Sequence, residues 1–174
     1  MTRAPTIAAL GIAAFAVTLL PSSAAHAQYE WPSPATNCTA GKGDNASIDY
    51  NSTTVFNTST TSAAKVYCPI PYESFILFTN TTTNPIVDLN FTDQSSTADV
   101  RCTLHVDLFD GTPLVSETML STGIHDAAVH SFTWTFGRDL IGAGRVYSLS
   151  CTIPAANSST VRSSIRSYRL RADR

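Results

Sequence analysis

Three of the four cysteines in this chain sit midway between two apolar residues at period two. The copies are Val66-Tyr67-Cys68-Pro69-Ile70, Val100-Arg101-Cys102-Thr103-Leu104 and Leu149-Ser150-Cys151-Thr152-Ile153. Period two is the spacing of a β-strand, where alternate side chains share a face. Each of these cysteines is thereby placed on the inward face of a strand, which limits the chain to folds built from facing sheets. Two copies run on into proline, at Pro71 and Pro154. Proline has no N–H for the ladder and ends a strand. The copies are too short to mark a duplication.

The same alternation extends along most of the chain. Strands are predicted at residues 47–50, 53–58, 64–70, 74–78, 86–92, 99–109, 114–120, 129–136, 145–153 and 161–171. In the sixth, Val100, Cys102, Leu104, Val106 and Leu108 share one face, and Arg101, Thr103, His105 and Asp107 the other. Tyr147, Leu149, Cys151 and Ile153 likewise face together, and Phe132, Trp134 and Phe136 supply an aromatic face for the interior. Asp110-Gly111 predicts a two-residue type I′ hairpin. Pairing outward from it sets Leu108 opposite Pro113, Val106 opposite Val115, Cys102 opposite Met119 and, less comfortably, Leu104 opposite Glu117. No stretch keeps helical periodicity over three turns; a short helical turn is allowed near residues 137–141.

Residues 1–27 read as a secretory signal peptide. Arg3 supplies the charge, residues 7–20 an uncharged apolar run, and Ala25-His26-Ala27 the small-x-small cleavage pattern. The Ala-rich leader is of the bacterial type, and the expected product is secreted or periplasmic after cleavage near Ala27. Residues 28–45 read as an extended lead-in and loop, and residues 46–174 as one β-sandwich domain. Removing 27 of 174 residues leaves 147, a length that supports one core. The leader's apolar run is shorter than the roughly 20 residues a membrane span needs, and no later run is longer. All 13 acidic residues and 10 of the 11 basic ones lie after Ala27, a net charge of −3. Such a balance gives no general attraction to nucleic acid.

An exported compartment makes four cysteines two disulfides. Of three connectivities, strand phase favours Cys38–Cys68 and Cys102–Cys151, because Cys102 and Cys151 point inward from different strands. No paired CxxC spacing supports zinc. One early Cys, then VYCPIP, VRCTL, YSLSCTIP and a last strand IRSYRLRAD resembles a set of small exported bacterial proteins of unknown function. The resemblance implies a disulfide-bonded β-domain and carries no catalytic residues.

Candidate chemistry is sparse. His105 and Asp107 share an outward face beside Arg101, and His125-Asp126 are near in sequence; together they sketch a metal or acid–base cluster. No HExxH, GxSxG or SxxK motif accompanies them. Asp107 and Asp110 could hold Ca²⁺, but Asp110 is already accounted for by the turn, and no EF-hand loop is present. Seven Asn-x-Ser/Thr triplets, at Asn37, Asn45, Asn51, Asn57, Asn80, Asn90 and Asn157, follow from an Asn/Ser/Thr-rich composition. Arg162, Arg166, Arg169, Arg171 and Arg174 are half of the mature positive charge. In a regular strand Arg162 and Arg166 fall on one face and Arg169 and Arg171 on the other, so the plain reading is protection of an edge strand.

The sequence therefore predicts an all-β antiparallel sandwich, with a jelly-roll topology as one arrangement that fits, held by two disulfides. The expected role is a non-catalytic surface-binding or structural module whose partner is an extracellular protein or a polysaccharide. No cofactor, metal, nucleic acid or membrane span is expected. The alternatives are a hydrolase of an extracellular polymer, which needs a cleft gathering His105, an acid and a serine, and an enzyme inhibitor using a rigid loop at residues 69–73.

Overall fold

The computed structural model describes residues 30–71, 84–141 and 144–172. The expected signal peptide and the predicted strand at 74–78 lie outside the described residues. The described strands are β1 (Glu30–Pro34), β2 (Thr39–Ala40), β3 (Ile48–Asn51), β4 (Thr54–Asn57), β5 (Ala64–Ile70), β6 (Pro85–Asp93), β7 (Arg101–Leu108), β8 (Pro113–Leu120), β9 (Asp126–Thr135), β10 (Arg145–Ile153) and β11 (Ser164–Ala172). They build two antiparallel sheets, the β-sandwich expected from period two. Sheet A runs β3-β4-β11-β6-β9, and sheet B runs β2-β5-β10-β7-β8. In sheet A, β4 pairs with the first residues of β11 and β1 with the rest, so the two lie end to end along the side of β11 away from β6.

The core lies between the sheets. Sheet B contributes Val66, Cys68, Leu104, Val106, Leu149, Cys151 and Ile153, all on the predicted faces. Sheet A contributes Val55, Val87, Leu89, Phe91, Phe132, Trp134, Ile165, Tyr168 and Leu170. Phe91 stacks on Phe132 at 4.2 Å between centroids, and Phe132 meets Trp134 edge-on at 5.8 Å. Such pairs add about 1 kcal/mol each beyond the area they bury.

Strand β6 departs from simple alternation. Val87, Leu89 and Phe91 face the core, yet Ile86, Asp88 and Thr92 on the opposite face are also buried. The strand is flanked by β11 and β9, and long side chains from β11 cover its outer face.

The hairpin between β7 and β8 differs from the predicted one. The Gly111 amide donates to the Leu108 carbonyl (2.9 Å), the Leu108 amide to the Thr112 carbonyl (2.8 Å), and Gly111 has φ +84°. A type I′ turn needs positive φ at both central residues, and among the described residues the one non-glycine with positive φ is Ser52. The connection is instead a four-residue turn with Gly111 in a G1-type bulge. Pro113 therefore lies opposite Asp107 rather than Leu108. From Val106–Val115 onward the predicted register holds, including Leu104 opposite Glu117 and Cys102 opposite Met119. Glu117 is tolerated there because β8 is an edge strand and the side chain is exposed.

Both disulfides pair as the strand phases favoured. Cys102 and Cys151 are direct register partners on β7 and β10, so that bridge joins neighbouring strands of one sheet rather than sheet to sheet. Cys38, just after a single 3-10 turn at Ala35–Asn37, is tied to Cys68 on β5. Cys102→Ala and Cys151→Ala should each lower stability by about 4 kcal/mol, the chain-entropy value for a loop of this size. The double variant should lose no more than either single one. Denaturant unfolding checks this, and additive losses would reject the pairing.

Candidate functional site

The outer face of sheet A carries an array of hydrogen-bonded polar groups, aligned by a bulge in β11. Register shifts between Ile165 and Ser167. Without the shift, Ile165 would lie on the opposite face from Tyr168 and Leu170. With it, all three are buried in the core, and Ser164, Ser167, Arg169 and Arg171 share the outer side with Thr92, Asn90 and Asp88 of β6. The sequence reading of arginines divided between two faces is corrected by this one inserted residue.

Along this face the partners form a ladder roughly 13 Å long, four residues of β6 at strand spacing. Thr92 Oγ1 and Ser164 Oγ lie 2.7 Å apart. Asn90 donates to Ser167 Oγ (3.0 Å) and accepts from Ser131 Oγ (2.6 Å). Asp88, 4% exposed, accepts from Thr133 Oγ1 (2.8 Å), Arg169 Nε (2.9 Å) and Arg171 Nε (2.6 Å). Burial pushes the Asp88 carboxyl pKa up, but hydrogen bonds from Arg171, Thr133 and Arg169 outweigh that and hold it below the usual value.

At the β4 end the ladder opens into a shallow groove of about 230 Å³. Phe56 and Thr54 of β4, Thr92 and Ser164 line it, with Gln94, Arg162 and Arg166 among the surrounding groups. The Arg162 guanidinium lies over the Phe56 ring, its Cζ 4.8 Å from the centroid. The rim is fixed from below. The Gln94 amide donates to Ser163 Oγ (3.0 Å), Gln94 Oε1 accepts from the Arg162 amide (3.2 Å), and Asn157 Nδ2 donates to the Gln94 carbonyl (2.6 Å). Ser163 Oγ in turn donates to Asp93 Oδ1 (2.8 Å). Asp93, fully buried, also accepts from the Ser95 and Val100 amides (both 3.0 Å) and from Ser121 Oγ.

The histidine cluster drawn from the sequence is not assembled. His105 Nε2 lies 2.9 Å from Ser150 Oγ on the outer face of sheet B, and Ser150 is 6% exposed. Among the described residues no carboxylate hydrogen-bonds the His105 ring. Asp126 pairs with His130 at 2.8 Å, and hydrogen bonding from His130 holds its carboxyl below the usual value. His125 lies instead near Asp93 and Asp99, one donor atom from each falling within 4.8 Å of the others. The four hydrogen bonds on Asp93 account for its carboxylate as a structural anchor. Asp110 Oδ1 accepts from the Thr112 amide (2.9 Å), a bond that lowers its pKa and commits it to the turn. Of the loop at residues 69–73, Tyr72 and Glu73 lie outside the described residues.

Several groups on this face gave no sequence signal. Phe56 and Arg162 are 106 positions apart, and nothing local predicts their contact. Asn57 and Asn90, two of the Asn-x-Ser/Thr positions, are structural. Asn57 is fully buried and donates to the carbonyls of Ser62, Ile153 and Pro154, which ties sheet A to the end of β10.

The architecture is a two-sheet sandwich with a polar, grooved outer face. No family model and no curated protein matches the chain. Among solved structures it is similar in fold to the xylan-binding module CBM15, with 12% identity, a TM-score of 0.50, and coverage of 83% of this chain and 97% of that one. TmCBM61 in complex with β-1,4-galactotriose aligns at 12% identity and a TM-score of 0.42 over 83% and 88% of the two chains. The low-affinity xylan-binding module CBM86 from Roseburia intestinalis aligns at 13% and 0.44 over 83% and 96%.

The Asp88 pairs give a pH test. A lowered carboxyl pKa contributes stability above the unfolded value near 3.9, and that contribution is lost as pH falls through the folded value. Asp88→Asn should therefore lower stability at pH 7 by about 1–3 kcal/mol. Partial exposure of Arg169 and Arg171 holds the loss in that range. The deficit should shrink steadily below about pH 4. Urea unfolding of both proteins at several pH values reads it directly.

Proposed function

We propose that this chain is a secreted, non-catalytic polysaccharide-binding module, and that the groove of sheet A is its binding site. One observation carries the reading. An aromatic ring lies in a groove whose other groups are hydroxyls, an amide and guanidinium forks. Sugars present apolar C–H faces to aromatic rings and offer paired hydroxyls to planar polar groups. The groove supplies both: the part of the half-buried Phe56 ring that the Arg162 guanidinium leaves uncovered, and Gln94, Thr54, Ser159 and Thr160 for the hydroxyls. The adjoining ladder of Asn90, Ser131 and Ser167 continues the polar surface along the strands, as an extended polymer requires. The shared fold with a xylan-binding module supports the class of protein. At 12% identity it does not select the ligand.

Export is supported by both disulfides, which persist in oxidising compartments. No helix among the described residues is long and apolar enough to cross a membrane.

Binding of the mature chain to xylan, galactan, cellulose and pectin, followed by calorimetry and affinity electrophoresis, tests the proposal. At least one polymer should bind saturably. Phe56→Ala should weaken that binding about tenfold, the loss of roughly 1.4 kcal/mol of ring contact. Tyr67→Ala, on the opposite face of the molecule and 43% exposed, should leave it unchanged. The reverse pattern would move the site to sheet B.

A further inference from the structure

We infer that the groove selects an acidic sugar, so that the polymer recognised carries uronate carboxylates. This rests on the polysaccharide reading above and names its ligand class.

Four arginines on this face are used in two ways. Arg169 and Arg171 share one internal counter-ion, Asp88. Arg162 and Arg166, at the other end of the same face, line the groove, and no acidic residue lines it with them. Among the described residues neither guanidinium meets a carboxylate or a hydrogen-bond acceptor. Arg162 Nε is buried and without a partner, held over the Phe56 ring. The hydrogen-bonding capacity of that guanidinium therefore lies with its remaining N–H groups. Two acidic strand positions adjoin the lining: Asp49, register partner of Phe56, whose carboxylate accepts from the Tyr50 amide, and buried Asp93, between Thr92 and Gln94, whose carboxylate is taken up by Ser163, Ser95, Val100 and Ser121. In a mature chain of net charge −3, the groove holds two guanidiniums with no carboxylate bonded to them among the described residues.

Charge alone would suit any anion. The aromatic ring narrows the choice. In a uronic acid the carboxylate is attached to a ring carbon, so a sugar ring seated at Phe56 carries its anion at a fixed short distance from the ring. Two guanidiniums beside Phe56 are placed to receive it, and a guanidinium fork matches a planar carboxylate through two parallel hydrogen bonds. A groove of about 230 Å³ has room for a single sugar ring rather than a folded partner. Gln94, Ser159 and Thr160 remain for its hydroxyls.

The test compares polygalacturonate with the same polymer fully methyl-esterified, which keeps the backbone and removes the charge. Calorimetry with the mature chain at 50 and 300 mM salt should show at least tenfold tighter binding of the acid form, with the preference weakening at high salt. Arg162→Gln and Arg166→Gln should each cut binding of the acid form at least fivefold and cut any residual binding of the ester form by a smaller factor. Arg162→Lys should restore only part, because the fork is lost while the charge stays. Equal binding of the two polymers would overturn the inference while leaving the polysaccharide reading intact. Absence of binding to these and to the neutral polymers would overturn both. Tighter binding of dextran sulfate or single-stranded DNA than of polygalacturonate would also overturn it, showing a site for anions in general. The comparison of polymers on the unaltered protein decides the matter even where a variant fails to fold.

Discussion

A regular strand can give one face of a sheet either its apolar residues or its charged ones, but β11 must do both jobs within nine residues. It supplies Ile165, Tyr168 and Leu170 to the core and Ser164, Ser167, Arg169 and Arg171 to the outer face. Strict alternation forbids that set, because Ile165 and Tyr168 are three positions apart. One extra residue at the bulge resolves it. The polar ladder, the buried Asp88 and the orientation of the basic residues all follow from that local insertion. So does the double burial of β6, whose outer face is covered by the arginines the bulge turns toward it.

Much of the fold was legible because its determinants are local. Alternation located β5 and β10 to the residue, and the inward phase of Cys102 and Cys151 favoured the bridge the structure contains. Aromatic Phe132, Trp134 and Phe136 fell in the core as their spacing required. Turn chemistry was read correctly in place and incorrectly in kind: Gly111 takes the left-handed conformation, but Asp110 does not, so the loop closes with a bulge.

The candidate site was scarcely legible, for a different physical reason. Its members meet through register between strands distant in sequence, and a bulge moves that register by one residue with no compositional mark. Arg162, Arg166, Arg169 and Arg171 are visible in the sequence as a basic cluster, yet the ring on β4 that Arg162 covers is not, and strand phase divides the cluster between two faces. Histidine proximity misled in the opposite way. His105 and His125 are 20 positions apart, and the fold sends one to Ser150 and the other toward Asp93 and Asp99.

Asp93 has a bearing on the groove although it never reaches it. Its carboxylate holds Ser163 and Ser95, and through Ser163 it fixes the backbone at Gln94 on the rim. The rim backbone is thus tied to a buried carboxylate, and on the proposed reading association would spend little of its configurational freedom. On that reading the entropic loss falls on the incoming chain, so a stiff glycan would outcompete a floppy one of equal chemistry.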